Sequence, residues 1–184
     1  MAVSANRMRW GVLACGAVLA LAGCESGTEG SAGPVTPSMA AEVPAGFDPC
    51  TDIPQEVLES EDLAGYSRPT SSDTSGGKWK GCVFIQTDGY AAGIQTTTVT
   101  VDMVRDKGFP EATEFTAGGR KAISTRQLEE HAEASCFVNV EMNGGSLEFG
   151  LTNPSSNRKT GHLDTCELAR ALAEKVVPAI PAGV

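Results

Sequence analysis

The stretch Cys136-Phe137-Val138-Asn139-Val140-Glu141-Met142-Asn143-Gly144-Gly145-Ser146-Leu147-Glu148-Phe149-Gly150-Leu151 decides the fold. Cys136, Val138, Val140 and Met142 fall on one side of it, and Phe137, Asn139 and Glu141 on the other. A period of two is the mark of a half-buried strand. Asn143-Gly144 supplies a turn whose residues need positive φ, and Leu147, Phe149 and Leu151 return the apolar side. A slip of one residue would turn all these groups to water, so burial specifies the register. The expected element is an antiparallel hairpin with one face in a core.

Working outward, residues 114–117, a Gly118-Gly119 turn and residues 120–127 form a second hairpin, followed by a charged connection over 128–133. Residues 81–87 carry the β-branched and aromatic content of a strand, and 90–98 form its partner across Asp88-Gly89. Residues 67–77 are polar and are expected as a loop. Residues 99–107 fit either period; Thr100 as a cap and Gly108 as a stop favour a short helix over a strand. A first helix is expected from Asp52-Ile53-Pro54-Gln55 to about Leu63, with Asp52 and Gln55 as a capping box and Val57 and Leu58 buried. The last helix has Asp164 and Glu167 as a capping box and Leu163 and Leu168 as a hydrophobic staple. Its apolar stripe is Leu168, Ala169, Leu172 and Val176, and Pro178 ends it. The predicted fold class is α+β: an antiparallel sheet of about five or six strands, packed with N-terminal and C-terminal helices.

The N-terminus is read separately. Arg7 and Arg9 precede an apolar run over residues 11–23, which is too short for a permanent membrane span and has the form of a signal-peptide core. It ends in Leu21-Ala22-Gly23-Cys24, which resembles the lipobox of bacterial lipoproteins. That resemblance implies cleavage before Cys24 and a diacylglycerol joined to its sulfur by a thioether, with palmitate among the acyl chains, and two acyl chains suffice for stable attachment. Residues 25–46 are rich in Gly, Ser, Pro, Thr, Ala and Glu and cannot bury enough surface to fold. The expected organisation is a signal peptide over 1–23, a lipidated flexible tether over 24–46 and one domain over 47–181. A flexible tether of this length spans roughly 25 Å.

Without residues 1–23 the chain loses two arginines and no acid, so 12 Lys and Arg face 23 Asp and Glu, a net charge of −11. This excludes nucleic acid as a partner and argues against electrostatic adhesion to anionic lipid. Of six cysteines, Cys15 leaves with the signal and Cys24 takes the lipid. Cys50, Cys82, Cys136 and Cys166 are too widely spaced for a metal site and read as two disulfides of an oxidising compartment. Four cysteines allow three pairings. Placement beside the two terminal helices points to Cys50–Cys82 and Cys136–Cys166, each stapling a helix to the sheet.

Several motifs recur in order: Asp48-Pro49-Cys50, Gly81-Cys82, Val101-Asp102-Met103-Val104-Arg105, Gly118-Gly119-Arg120-Lys121-Ala122 and Asp164-Thr165-Cys166-Glu167 before Pro178 and Pro181. In this the chain resembles the actinobacterial lipoproteins grouped as domain of unknown function 3558, over essentially all of residues 47–181. The resemblance implies an envelope lipoprotein and supplies no catalytic residue. Val83 stands where many members have an aromatic residue after the strand cysteine.

His131 and His162 are the only histidines, and both fall in surface segments. There is no G-x-S-x-G elbow, Ser-x-x-Lys element or P-loop. Trp79 lies between Lys78 and Lys80 and either closes the end of the core or contacts a ligand. The expectation is therefore a protein held to the extracytoplasmic face of the cell membrane by lipid. Its domain is non-catalytic, needs no cofactor or metal, and binds an envelope protein, glycan or lipid. The alternatives are an envelope hydrolase using His131 or His162, and a lipid carrier with an apolar cavity.

Overall fold

A computed structural model describes residues 39–65, 67–74 and 76–184. Its helices are α1 (Gln55–Ser60), α2 (Val101–Asp106) and α3 (Thr165–Val176). Its strands are β1 (Ser67–Thr74), β2 (Gly77–Ile85), β3 (Ala91–Thr97), β4 (Thr113–Ala117), β5 (Arg120–Thr125), β6 (Ser135–Met142) and β7 (Gly145–Thr152). The signal peptide, Cys24 and most of the expected tether lie outside the described residues.

The deciding hairpin is β6–β7. Val138 faces Phe149 and Val140 faces Leu147 across the ladder, all four fully buried. Gly144 turns the chain at φ 85°, the left-handed region glycine enters freely, whereas Asn143 does not take the positive φ expected of it. All neighbours in the sheet are antiparallel, in the order β1-β2-β3-β7-β6-β5-β4. After β3 the chain crosses through α2 to the far edge, then meanders back through β4, β5 and β6 until β7 pairs with β3.

The sheet has seven strands, and the fold is mostly β, where five or six strands had been expected. The additional strand is β1, in the segment read as a polar loop. Its eight residues pair with β2 from Ser67 opposite Phe84 to Thr74 opposite Gly77. Seven of them are exposed, so no alternation betrays the strand. Pro69 is tolerated because an edge strand need not donate on its outer side.

Helix α1 is shorter than expected. Pro54 occupies its N-cap position, and no side chain caps it. The Asp52 carboxylate instead accepts the Asp48 N–H at 2.8 Å and the Thr51 hydroxyl at 2.9 Å, while the Asp52 N–H donates to the Asp48 carbonyl. These bonds fold residues 48–52 into a turn that carries Cys50. Val57 and Leu58 are half-buried against the core rather than enclosed. Helix α3 follows its punctuation: Asp164 accepts the Glu167 N–H at 2.9 Å, and Ala169, Leu172 and Val176 are buried. Leu163, the outer half of the expected staple, remains 44% exposed.

The two faces of the sheet are treated differently. On the first face Phe84, Ile94, Val138, Phe149 and Leu151 form one core with Phe47, Ile53 and Leu63 from the N-terminal segment and Ala169, Leu172 and Val176 from α3. Disulfides Cys50–Cys82 and Cys136–Cys166 tie both covering segments to this face, with Cα–Cα distances of 5.2 and 5.1 Å. On the second face α2, capped by Thr100, is the one helix that packs among the described residues. Its Val101 and Val104 rest on Ile123, with Val99 and Phe109 at the margin. Packing begins before Phe47: Pro44 is buried, Glu42 bonds Lys78 at 3.0 Å, and the Thr98 hydroxyl approaches the Met39 sulfur.

Each disulfide closes a loop of about thirty residues, worth about 3.5 kcal/mol in the chain-entropy account. Replacing Cys136 and Cys166 together with alanine is expected to lower unfolding stability by about that amount in urea titrations. An unchanged midpoint would show that α3 holds to the sheet without its staple.

Candidate functional site

The alternation that buries one side of β6–β7 sends Asn139, Glu148 and Phe137 to the second face. Ladder register extends this face into cross-strand rows. One row runs Gly81, Gln95, Glu148, Asn139, Ile123; the next runs Val83, Gly93, Gly150, Phe137, Thr125. Helix α2 covers the Asn139–Ile123 end. Over β2, β3 and β7, however, Trp79, Val83, Gly93, Gln95, Glu148, Gly150 and Phe137 are all partly open.

Trp79 lies on this open face, opposite Thr97 and away from the main core. Its indole approaches the Glu148 carboxylate. Glu148 is crowded by its surroundings, and this burial pushes its pKa up, against the opposing pull of the Trp79 and Asn139 donors. The Asn139 amide donates to Glu148 Oε2 at 3.3 Å and to Ser146 Oγ at 3.0 Å. Ser146 in turn donates to the Val99 carbonyl at 2.6 Å, linking β6, β7 and the approach to α2. Asn139 Oδ1 is buried and unpartnered among the described residues. No Lys or Arg pairs with Glu148 among them either.

The row beside Glu148 is a shallow trough. A Cβ placed on Gly150 would stand 3.1 Å from the Phe137 ring, so that ring leans over the glycine. A Cβ on Gly93 would meet only the Gly150 carbonyl at 3.7 Å and Gln95 Oε1 at 3.8 Å, both ordinary contacts. Gly93 is the open floor of the trough.

The histidines occupy a second place. His131 and His162 line one groove with Glu133, Thr152, Asn153 and Leu163, at the end of the strands opposite the Asn143-Gly144 turn. The β6–β7 hairpin brings together segments that the sequence reading treated as unrelated. No imidazole hydrogen bond is present among the described residues. Asp164 at the groove wall is already engaged: burial tends to raise its pKa, but the capping N–H of Glu167 and the charge of Arg126 hold it below its usual value. Arg126, only 7% exposed, bonds Asp164 at 2.6 Å, Glu111 at 2.9 Å and the carbonyls of Ala132 and Ser135. It is the tie that shapes the His131 loop. Among the described residues no group of three or more His, Cys, Asp or Glu could hold a metal, and no helix is long and apolar enough to cross a membrane.

Trp79 was visible in the sequence as a candidate contact; Glu148, Gln95 and Gly93 were not. Nothing local distinguishes an outward Glu on a strand from a solvated one, and their convergence requires the β3–β7 pairing.

A family model described as "Protein of unknown function (DUF3558)" matches residues 19–179. No curated protein and no solved structure matches the chain.

Because burial raises the Glu148 pKa in the fold, the ionised side chain costs the folded state stability as pH rises above the unfolded Glu value of about 4.3. Glu148→Gln removes that cost. Its stability advantage over the wild type is expected to be smallest near pH 4 and to grow toward pH 7.5 in urea titrations. A gap that stays constant or shrinks with pH would contradict this.

Proposed function

Because the chain belongs to this family, whose description assigns no activity, we propose its function from its own residues: it is an exported, lipid-anchored, non-catalytic binding protein of the cell envelope, and the open sheet face is its binding surface. The observation that carries the binding reading is the asymmetry of the sheet. One face is sealed by α3 and the N-terminal segment. The other leaves Trp79, Phe137, Gln95 and Glu148 partly open. Aromatic groups beside a few placed polar groups, at the centre of an otherwise solvated face, are the composition of a recognition surface.

Export and anchoring are supported by Leu21-Ala22-Gly23-Cys24 and by two disulfides that need an oxidising compartment. The first described residues, Met39 and Glu42, contact Thr98 and Lys78, near the strand ends at the Asn143-Gly144 turn.

The shared groove of His131 and His162 favours a hydrolase as the second reading. It lacks the bonded base and orienting acid that nucleophilic chemistry requires. A lipid carrier would need an apolar cavity between sheet and helix, and Val138, Phe149, Leu172 and Val176 fill that space.

Two expected outcomes test the proposal. Cys24→Ser abolishes palmitate labelling and moves the protein from the membrane to the soluble extracytoplasmic fraction; continued membrane retention would refute the anchor. In a deletion strain complemented with variants, Gly93→Arg, whose Cβ meets no obstacle, keeps the thermal midpoint and loses the complemented phenotype, while the His131→Ala/His162→Ala pair retains it. The reverse pattern would establish the hydrolase reading.

A further inference from the structure

We propose that the open face receives a lysine side chain of a basic protein partner, its aliphatic stem lying over Gly93 beside the Phe137 ring and its ammonium meeting Glu148 beside Trp79. This rests on the reading of that face as the binding surface and names what it takes.

The geometry has an apolar part and a charged end. Val83 and Phe137 stand at the two sides of the Gly93–Gly150 pair, and the floor at Gly93 is open. The adjacent row presents Gln95 and Glu148. Two residues along a strand separate the rows, roughly 6.6 Å, within reach of a four-carbon stem and its ammonium. Lysine is the side chain whose long apolar stem ends in a compact cation.

The electrostatics favour the same occupant. Glu148 has no cationic partner among the described residues, and Asn139 Oδ1 behind it adds an unpaired acceptor. On this face Lys121 of β5 lies one strand, β6, away from Glu148's strand and pairs with Glu141 at 3.8 Å; Arg68, exposed on β1 opposite Val83, is separated from Glu148's strand by β2 and β3. The Trp79 ring stands next to the carboxylate, and an aromatic face attracts an ammonium. The chain as a whole has 23 Asp and Glu against 14 Lys and Arg, which steers a basic partner toward it. An arginine fork would present a planar group to a single recessed carboxylate, whereas a lysine needs only one acceptor and a channel for its stem.

The test uses the disulfide-intact domain with its tether, labelled for amide NMR, and three probes: Nα-acetyl-lysine amide, the norleucine analogue with the same stem and no charge, and glucosamine. The lysine probe is expected to produce saturable shifts at the Gly93 and Gly150 amides and the Trp79 indole. Norleucine amide is expected to bind about fivefold more weakly, and Glu148→Gln to lower lysine affinity by about the same factor. Equal binding of lysine and norleucine amides overturns the proposal, as do shifts scattered over other carboxylates. Tighter binding of glucosamine than lysine overturns the protein partner in favour of an amino-sugar glycan. If these probes fail while Gly93→Arg still abolishes the complemented phenotype, the ligand class falls and the binding surface stands.

Discussion

Two disulfides on one face of one sheet constrain everything else. Cys82 and Cys136 both point toward the first face, and each binds a segment that packs there. The N-terminal turn and α1 cover the β2–β3 side, while α3 covers β4 to β7. A domain of this size could form a core without such staples. Cross-linking nevertheless removes much of the unfolded chain's freedom and commits both covering segments to the same side. Apart from α2, no described helix is left for the second face.

The polar network on that face follows from this commitment. Asn139 and Glu148 are outward by strand alternation, yet α2 arrives over one end of their row and excludes water from Asn139. The amide compensates by bonding Ser146 and Glu148, and Ser146 anchors the chain entering α2. Burial disfavours the charged form of a carboxylate, and a positive charge brought beside it offsets that cost. The site's electrostatic demand and its openness to solvent thus arise from one packing decision.

The hairpin, the capped ends of α3 and the α2 cap were legible because each is encoded in one short continuous stretch of sequence. Period-two alternation locates β6 and β7, and Thr100 marks the start of α2 through a bond only three residues long. What failed was decided by competition or by distance. Asp52 had the right spacing for a helix cap but serves the turn with Asp48. Strand β1 exists through backbone pairing with β2 and has no buried face to mark it. Trp79 could be singled out by type, but its neighbour Glu148 lies 69 positions later and reaches it only through the β2–β3–β7 pairings. His131 and His162 are likewise joined by the fold, and the loop between them and the sheet is shaped by Arg126, which reads as an ordinary surface residue in sequence.

The central claim is that one sheet face is sealed by the protein itself and the other by a partner. Hydroxyl-radical footprinting of the same protein, purified and in intact cells, tests this directly. The account predicts that Phe84, Tyr90 and Phe149 are protected in both settings, whereas Trp79 and Phe137 react in the purified protein and become protected in the envelope. Equal reactivity of Trp79 and Phe137 in the two settings would contradict it.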